Sequence, residues 1–195
     1  MSETIQIPMF PLTLLPLPGE LVPLHIFEPR YRDLLGDMEN LDVSFGIFCT
    51  HEINSERVGS LMKLESVIKR YSSGEADIIV RCIDFFTMDK LYGTYKNKRY
   101  PGGEVVLKNV VIDELPGVEL YELFMIYQSK RNISHHFASF NLFEIANELN
   151  MDLHDRYRFL TLAESSRSRF LVTQLKFHIH VLRQEEKSRD VFHLN

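Results

Sequence analysis

His25 stands three residues before Glu28 in the run VPLHIFEPRY, residues 22–31. A histidine and a carboxylate in reach of each other can pass a proton. They also have a structural use: His25 ends a strand-like stretch, Glu28 stands immediately before a helix, and both can satisfy buried backbone groups. The structural use is favoured, because buried polar side chains generally exist to be hydrogen-bonded. His135-His136 and His178-x-His180 raise the question of a metal. On a helix, adjacent residues point roughly 100° apart and i, i+2 residues about 200° apart, so neither pair could share one ion there. Cys49 and Cys82 lie in apolar strand-like runs with no CxxC, which fits buried free thiols in a reducing cytosol; the alternative is a single disulfide. No metal and no cofactor is expected. Ser165-Ser166-Arg167-Ser168-Arg169 reads as a polar helix start rather than a nucleophile with a helper. No G-x-x-x-x-G-K-[ST] cradle for phosphate occurs. The expectation is a protein that is not an enzyme.

Lys96, Lys98 and Arg99, with Tyr92, Tyr95 and Tyr100 around them, have the composition of a stacking-plus-charge patch for single-stranded nucleic acid. The plainer reading is a solvated hairpin loop. The net charge of −5 over 195 residues argues against nucleic acid as the main partner.

The elements that must position these residues begin with an unusual stretch. Pro8, Pro11, Pro16, Pro18 and Pro23 lie among large aliphatics. Proline lacks an N–H and fixes φ, so one long strand or helix is not expected here. The reading is a short strand (6–10), a buried loop, a turn at Pro18-Gly19, a second strand (21–27) and a helix over about 29–39. Pro29 suits the first helical position. Tyr31, Leu34, Leu35 and Met38 follow at i, i+3, i+4 and i+7 as one apolar stripe. Glu28 would favour the helix dipole and could pair with Arg32.

Residues 40–112 read as β-rich. Val43, Phe45, Ile47 and Cys49 alternate as in a half-buried strand. Residues 61–71 and 77–88 flank Ser72-Ser73-Gly74-Glu75, a hairpin connection. Ile78, Val80, Cys82 and Asp84 share one face. A basic loop (95–103) leads to a last strand over 104–114. At Leu115-Pro116-Gly117 the pattern turns helical, with helices over 118–130, 142–149, 152–164 and 166–187. Asn141 and Glu144 have the spacing of a capping box, and Asn150 suits a helix end. Residues 132–140 read as a linker. The last helix carries Leu171, Leu175, Ile179 and Leu182, with Phe170, Phe177 and Val181 beside them. Two adjoining stripes ask for more than one packing surface, either within the chain or across a homodimer. Two subdomains are expected, 1–115 and 116–195.

Phe10-Pro11-Leu12, then Pro18-Gly19, then Val22-Pro23-Leu24-His25-Ile26-Phe27-Glu28-Pro29-Arg30-Tyr31 resembles the opening signature of the Lon substrate-binding domain, the N-terminal domain of the ATP-dependent protease Lon. Phe45-Gly46-Ile47 and Val58-Gly59-Ser60-Leu61 resemble the next two strands. The stretches 143–149 and 156–160 look like the family's helical half. Where the family usually shows a glycine before a basic-aromatic pair, Val80-Arg81-Cys82-Ile83-Asp84-Phe85-Phe86 has none, which suggests a divergent member. The resemblance implies an α+β fold, a PUA-like β-pseudobarrel followed by a C-terminal α-helical bundle. It makes His25, Phe27, Glu28, Arg30 and Tyr31 signature residues with a structural role.

It also implies a non-catalytic recognition module for unfolded or degron-bearing polypeptides, acting as adaptor to a protease or alone, without the ATPase and protease parts. With 14 Phe, 8 Tyr and 7 Met the chain has a surplus of soft apolar side chains, and an exposed patch of them would mark such a site. The candidate patch is Leu14, Leu15 and Leu17 of the proline-rich loop together with Leu120, Phe124 and Tyr127 of the helix over 118–127, between the two halves. The alternative is an RNA- or small-ligand-binding PUA-like domain. The N-terminus lacks a signal-type core and no run of eighteen apolar residues occurs, so no membrane partner and a cytoplasmic location are expected.

Overall fold

The computed structural model describes residues 3–112, 114–131 and 140–192. Six strands and five helices follow in the order β1 (Thr4–Leu12), β2 (Leu21–Ile26), α1 (Pro29–Leu41), β3 (Phe45–Cys49), β4 (Val58–Arg70), β5 (Ala76–Tyr92), β6 (Gly102–Leu107), α2 (Val118–Lys130), α3 (Leu142–Glu148), α4 (Leu153–Thr161) and α5 (Glu164–Phe192). The fold class is α+β. Two compact units result: Met1–Val111 with Met151–Thr161, and Ile112–Asn150 with Leu162–Asn195. The unit boundary thus falls near 111 rather than 115, and α4 returns to the first unit.

The first unit is one six-stranded sheet in the order β2-β5-β4-β3-β1-β6, with β5 also pairing β6. That extra pairing closes β5, β4, β3, β1 and β6 into a ring and leaves β2 outside it. All pairings are antiparallel except β1 with β3.

β1 corrects the expectation of a short strand. It runs nine residues through Pro8 and Pro11. Its bonding changes sides midway: Thr4–Pro8 pair with β6, and Met9–Leu12 pair with β3. Met9 N–H donates to Pro101 O, on the β6 side. Pro11, two residues on, faces the same side beyond the end of β6, where no donor is needed. Pro8 faces the β3 side one residue before that ladder begins. Proline is tolerated because each missing N–H falls where there is no ladder to lose.

The turn after the proline-rich loop forms as read. Glu20 N–H donates to Leu17 O at 3.0 Å, with Pro18 second and Gly19 third at φ 86°, an arrangement in which the third position needs glycine. In α1 the buried residues are Tyr31, Leu34, Leu35 and Met38, the stripe expected from spacing. They pack with Phe10, Ile26, Phe45, Ile47, Ile78 and Val80. Tyr31 stacks on Phe10 with ring centroids 3.9 Å apart. A second cluster gathers Ile7, Met9, Leu61, Phe86, Met88 and Val105. A Cβ at Gly59 would lie 2.4 Å from the Phe86 ring and 2.7 Å from Ile47 O, so only glycine lets these strands close on that ring.

The hairpin turn at 72–75 is observed, Gly74 holding φ 87°. β6 ends at Leu107, seven residues short of the expected end. The carboxylate of Asp84 accepts from the N–H groups of Asn109 at 2.9 Å and Val110 at 3.3 Å, taking over from the ladder. Cys49 and Cys82 are both buried free thiols, and burial pushes the Cys82 thiol far up.

The second unit packs α2 against α5, with α3 also touching α5. The capping box of α3 is complete: Asn141 Oδ1 accepts from Glu144 N–H at 2.7 Å and Glu144 Oε2 from Asn141 N–H at 2.8 Å. Leu171, Leu175 and Ile179 of α5 are buried, whereas Phe177 and Val181 beside them are exposed. α2 buries one face and exposes Val118, Met125 and Ile126 on another.

Candidate functional site

The proline-rich loop and α4 form a pocket of about 210 Å³ in the first unit. Leu14, Leu15 and Pro16 line one side, Val22 of β2 another, and Leu153 and Arg156 of α4 a third. Glu20 lies in its wall, accepting from Leu17 N–H at 2.9 Å and from Arg156 Nη1 at 2.5 Å. Arg156 also donates from Nε to Met151 O at 2.8 Å and from Nη1 to Leu15 O at 3.4 Å. One guanidinium thus pins the loop, the helix start and the carboxylate together. With Glu20 and Arg156 matched to each other, what the pocket offers a visitor is an apolar rim.

The six residues expected to form a polypeptide patch are placed unequally. Leu14 is 42% exposed at the pocket rim, while Leu15 is 2% and Leu17 0% exposed. Leu120, Phe124 and Tyr127 are buried in the second unit, where Phe124 meets Phe140 edge-on at 4.9 Å and Tyr127 meets His178 at 6.0 Å. As folded, Leu14 alone of the six presents its side chain outward. Val22 and Leu153 were not anticipated. Val22 alternates with outward residues along β2, and Leu153 opens α4 directly after Asp152, whose Oδ1 accepts from Asp155 N–H at 2.9 Å. Those two signals were readable, but their meeting across the sequence was not.

His25 and Glu28 do not meet. His25 Nδ1 donates to Asp77 Oδ1 at 2.6 Å, Tyr71 O–H donates to Asp77 Oδ2 at 2.6 Å, and Glu75 lies 3.7 Å from His25 Nε2. The hydrogen bonds from Tyr71 and then His25 hold the Asp77 carboxyl below its ordinary value. Glu28 accepts from Arg30 Nε at 2.8 Å rather than from Arg32, and its side chain makes no cap bond. Arg32 instead donates to Ser73 O at 2.9 Å. Arg30 lies 4.6 Å over the Tyr31 ring. Of the signature residues Tyr31 is core, His25, Glu28 and Arg30 bind other residues at the surface, and Phe27 is 55% exposed.

The basic loop is a solvent-exposed loop, as the plainer reading had it, but it is latched to α1. Arg99 grips Asp33 through two bonds of 2.7 and 2.9 Å, Lys98 bonds Asp37 at 2.9 Å, and Tyr100, itself 1% exposed, donates to Asp37 at 2.5 Å. Burial pushes the Asp37 carboxyl up, but the hydrogen bonds from Tyr100 and Lys98 outweigh it and hold the carboxyl below its ordinary value. The Tyr100 phenol is pushed far up by burial and by Asp37. Tyr92 donates to Glu104 at 2.7 Å. Charges spent on α1 and a buried tyrosine make a poor stacking platform.

His178 and His180 lie on α5, and His135 and His136 lie outside the described residues. Among the described residues no group of three or more His, Cys, Asp and Glu is placed to hold a metal ion, and no helix is long and apolar enough to cross a membrane.

The sequence model of the ATP-dependent protease La (LON) substrate-binding domain matches residues 6–187. The chain belongs to this family. Among solved structures, the Lon N-terminal domain protein from Xanthomonas campestris superposes with a TM-score of 0.67 at 21% identity, covering 88% of this chain and 98% of that one. The N-terminal domain of the Mycobacterium avium complex Lon protease aligns at 0.47 with 15% identity, over 91% and 96%. No curated protein matches the chain by sequence. The first likeness establishes a Lon N-terminal domain fold: a mostly β sheet with helices, a helix at the C-terminal end. Pro-rich loop, β2 and signature helix all fall within the family match, so the pocket of Leu14, Val22 and Leu153 is built from the Lon domain's own elements.

Proposed function

We propose that this Lon-family domain recognises unfolded or degron-bearing polypeptides and seats an apolar side chain in the pocket rimmed by Leu14, Val22 and Leu153. The observation that carries the reading is the unequal treatment of the proline-rich loop. Two of its leucines are spent on the core, while Leu14 is held outward beside a carboxylate and a guanidinium already matched to each other. An apolar rim with no unpaired charge suits a side chain that is itself buried in a folded protein. The five-strand ring supports naming the first unit a PUA-like pseudobarrel. The domain acts as a module that delivers its client to a protease partner, an adaptor role in keeping with its family.

Binding of a fluorescently labelled, permanently unfolded polypeptide, followed by polarisation with the folded form as control, tests this. Preference for the unfolded form, lost in Leu14→Asp and in Leu153→Asp, is expected. Equal affinity for both forms would sink it, and affinity for RNA that falls steeply with salt would replace it with the nucleic-acid reading.

A further inference from the structure

β2 has one strand beside it. It pairs with β5, and among the described residues no backbone bonds its other side. Pairing parity says what that side offers. Cys82 N–H donates to Glu20 O at 2.9 Å, and the register sets Leu21 opposite Arg81 and Val22 opposite Val80. Bonded and non-bonded pairs alternate in an antiparallel ladder. Cys82 O accepts from Gly19 N–H at 2.8 Å, so residues 19 and 20 together face Cys82, and the Glu20 carbonyl sets the parity: Val22, Leu24 and Ile26 are the next residues whose main-chain groups face β5. Leu21, Pro23 and His25 therefore turn their main-chain groups outward. The one proline of β2 falls in this outward set, where its missing N–H costs the ladder nothing. The open edge presents N–H at Leu21 and His25 and C=O at all three. Leu21 is 49% and Phe27 55% exposed, and Pro23 and His25 are exposed between them, a margin along the edge that is apolar apart from the His25 ring.

We propose that this edge takes up an additional strand from an extended, uncharged segment of the client polypeptide, gripped by main-chain hydrogen bonds at Leu21 and His25. The proposal rests on the polypeptide-recognition reading and adds the manner of the grip. The charged groups flanking the edge are engaged within the chain: Arg81 with Glu65 at 2.9 Å, Glu28 with Arg30 at 2.8 Å, Glu75 with Arg32 at 3.9 Å, and Asp77 with the His25 ring and the Tyr71 hydroxyl, each at 2.6 Å. None of them is left over for a partner's charge, and the complement of such a margin is an uncharged segment. A second copy is the poorer occupant. Two β2 strands centred on one another would set Pro23 against Pro23 and lose both bonds of that pair, whereas a strand without proline loses one.

The test uses the same labelled unfolded polypeptide and three variants. Leu21→Pro deletes an outward N–H and leaves the β5 ladder whole; Leu21→Ala keeps the N–H; Pro23→Val adds one. One main-chain bond corresponds to about a three- to tenfold change in affinity. Leu21→Pro is expected to weaken binding by that factor and more than Leu21→Ala, and Pro23→Val to tighten it. Binding kept unchanged in all three overturns the edge proposal and leaves the recognition reading standing; no binding by the native chain overturns both. Should Leu21→Pro unfold, Pro23→Val decides alone. Dimerisation of Pro23→Val without tighter polypeptide binding would give the edge to a second copy and overturn the proposal.

Discussion

Two loops of the first unit invited a functional reading, and the fold uses them in opposite ways. The loop over 93–101 carries charge and aromatic rings, and the fold engages most of both: Arg99 and Lys98 are bound by Asp33 and Asp37, Tyr100 is buried, and exposed Lys96 lies over the Tyr95 ring. The loop over 13–20 carries aliphatics and prolines, and the fold consumes only part of it. Leu15 and Leu17 are buried, Leu14 is left out, and Arg156 from α4 fastens the backbone beneath it. Composition offered both loops as contact surfaces, and the net charge of −5 favoured the second. A side chain is available for binding only if its own fold has no use for it, and the acids on α1 had a use for the cations.

The contrast breaks most readily at Leu17. Its side chain is fully buried, so Leu17→Ala removes packed methyl groups and leaves a cavity, at a cost of about 2–5 kcal/mol. Chemical denaturation should show this as a lower midpoint with the slope unchanged. A loss below about 1 kcal/mol would mean the loop is not the buried support described here.

On the other loop the largest effect is expected at Tyr100. Tyr100→Phe keeps the ring and removes the hydroxyl that donates to Asp37. A hydrogen bond to a charged group contributes about 1.5–3 kcal/mol. The folded state holds the Asp37 carboxyl below its ordinary value, so its stabilisation is present above the unfolded pKa and is lost as pH falls through the folded one. The difference between Tyr100→Phe and the native chain should be full at neutral pH and shrink below about pH 4. A difference that stays constant to pH 2 would remove Asp37 from the latch.

How much of this could be read beforehand depends on the range of the interaction. The stripe of α1, the Pro18-Gly19 turn, the Gly74 hairpin and the Asn141–Glu144 box are set by residues within a few positions of each other, and each appears as read. The parallel pairing of β1 with β3 and the closure of β5 on β6 join distant segments, and no local pattern announces them. β1 was cut short because a proline was weighed without knowing which side of the strand carried a ladder. The latch left a trace: Asp33 and Asp37 are spaced i, i+4 on the polar side of α1, and a basic loop is a natural counterpart. The pocket left half a trace, since the proline-rich loop was singled out but α4 had no visible reason to leave the helical half.

Arg99→Ala separates the parts of the latch. Its two bonds to Asp33 lie at the surface, with the Arg99 side chain 68% exposed. Exposed ion pairs contribute little and are screened by salt. The shift in midpoint should be smaller than that of Tyr100→Phe and should vanish in high salt. A shift as large as that of Tyr100→Phe would mean the loop is held by its charges more than by the buried ring.

The smallest effect on stability is expected three residues from the largest. Leu14 is 42% exposed and makes its apolar contacts at the rim of the pocket, so Leu14→Asp should leave stability within about 0.5 kcal/mol of native, as surface substitutions do. Leu17→Ala and Leu14→Asp then form a pair that can be read on two axes. If the loop both supports the fold and presents a contact, Leu17→Ala lowers the midpoint but keeps affinity for unfolded polypeptide under conditions where it is folded, and Leu14→Asp does the reverse. If Leu14→Asp lowers the midpoint as Leu17→Ala does, the rim is core, and the contact must be sought along the β2 edge instead. Leu21→Pro then tests that edge without touching the loop.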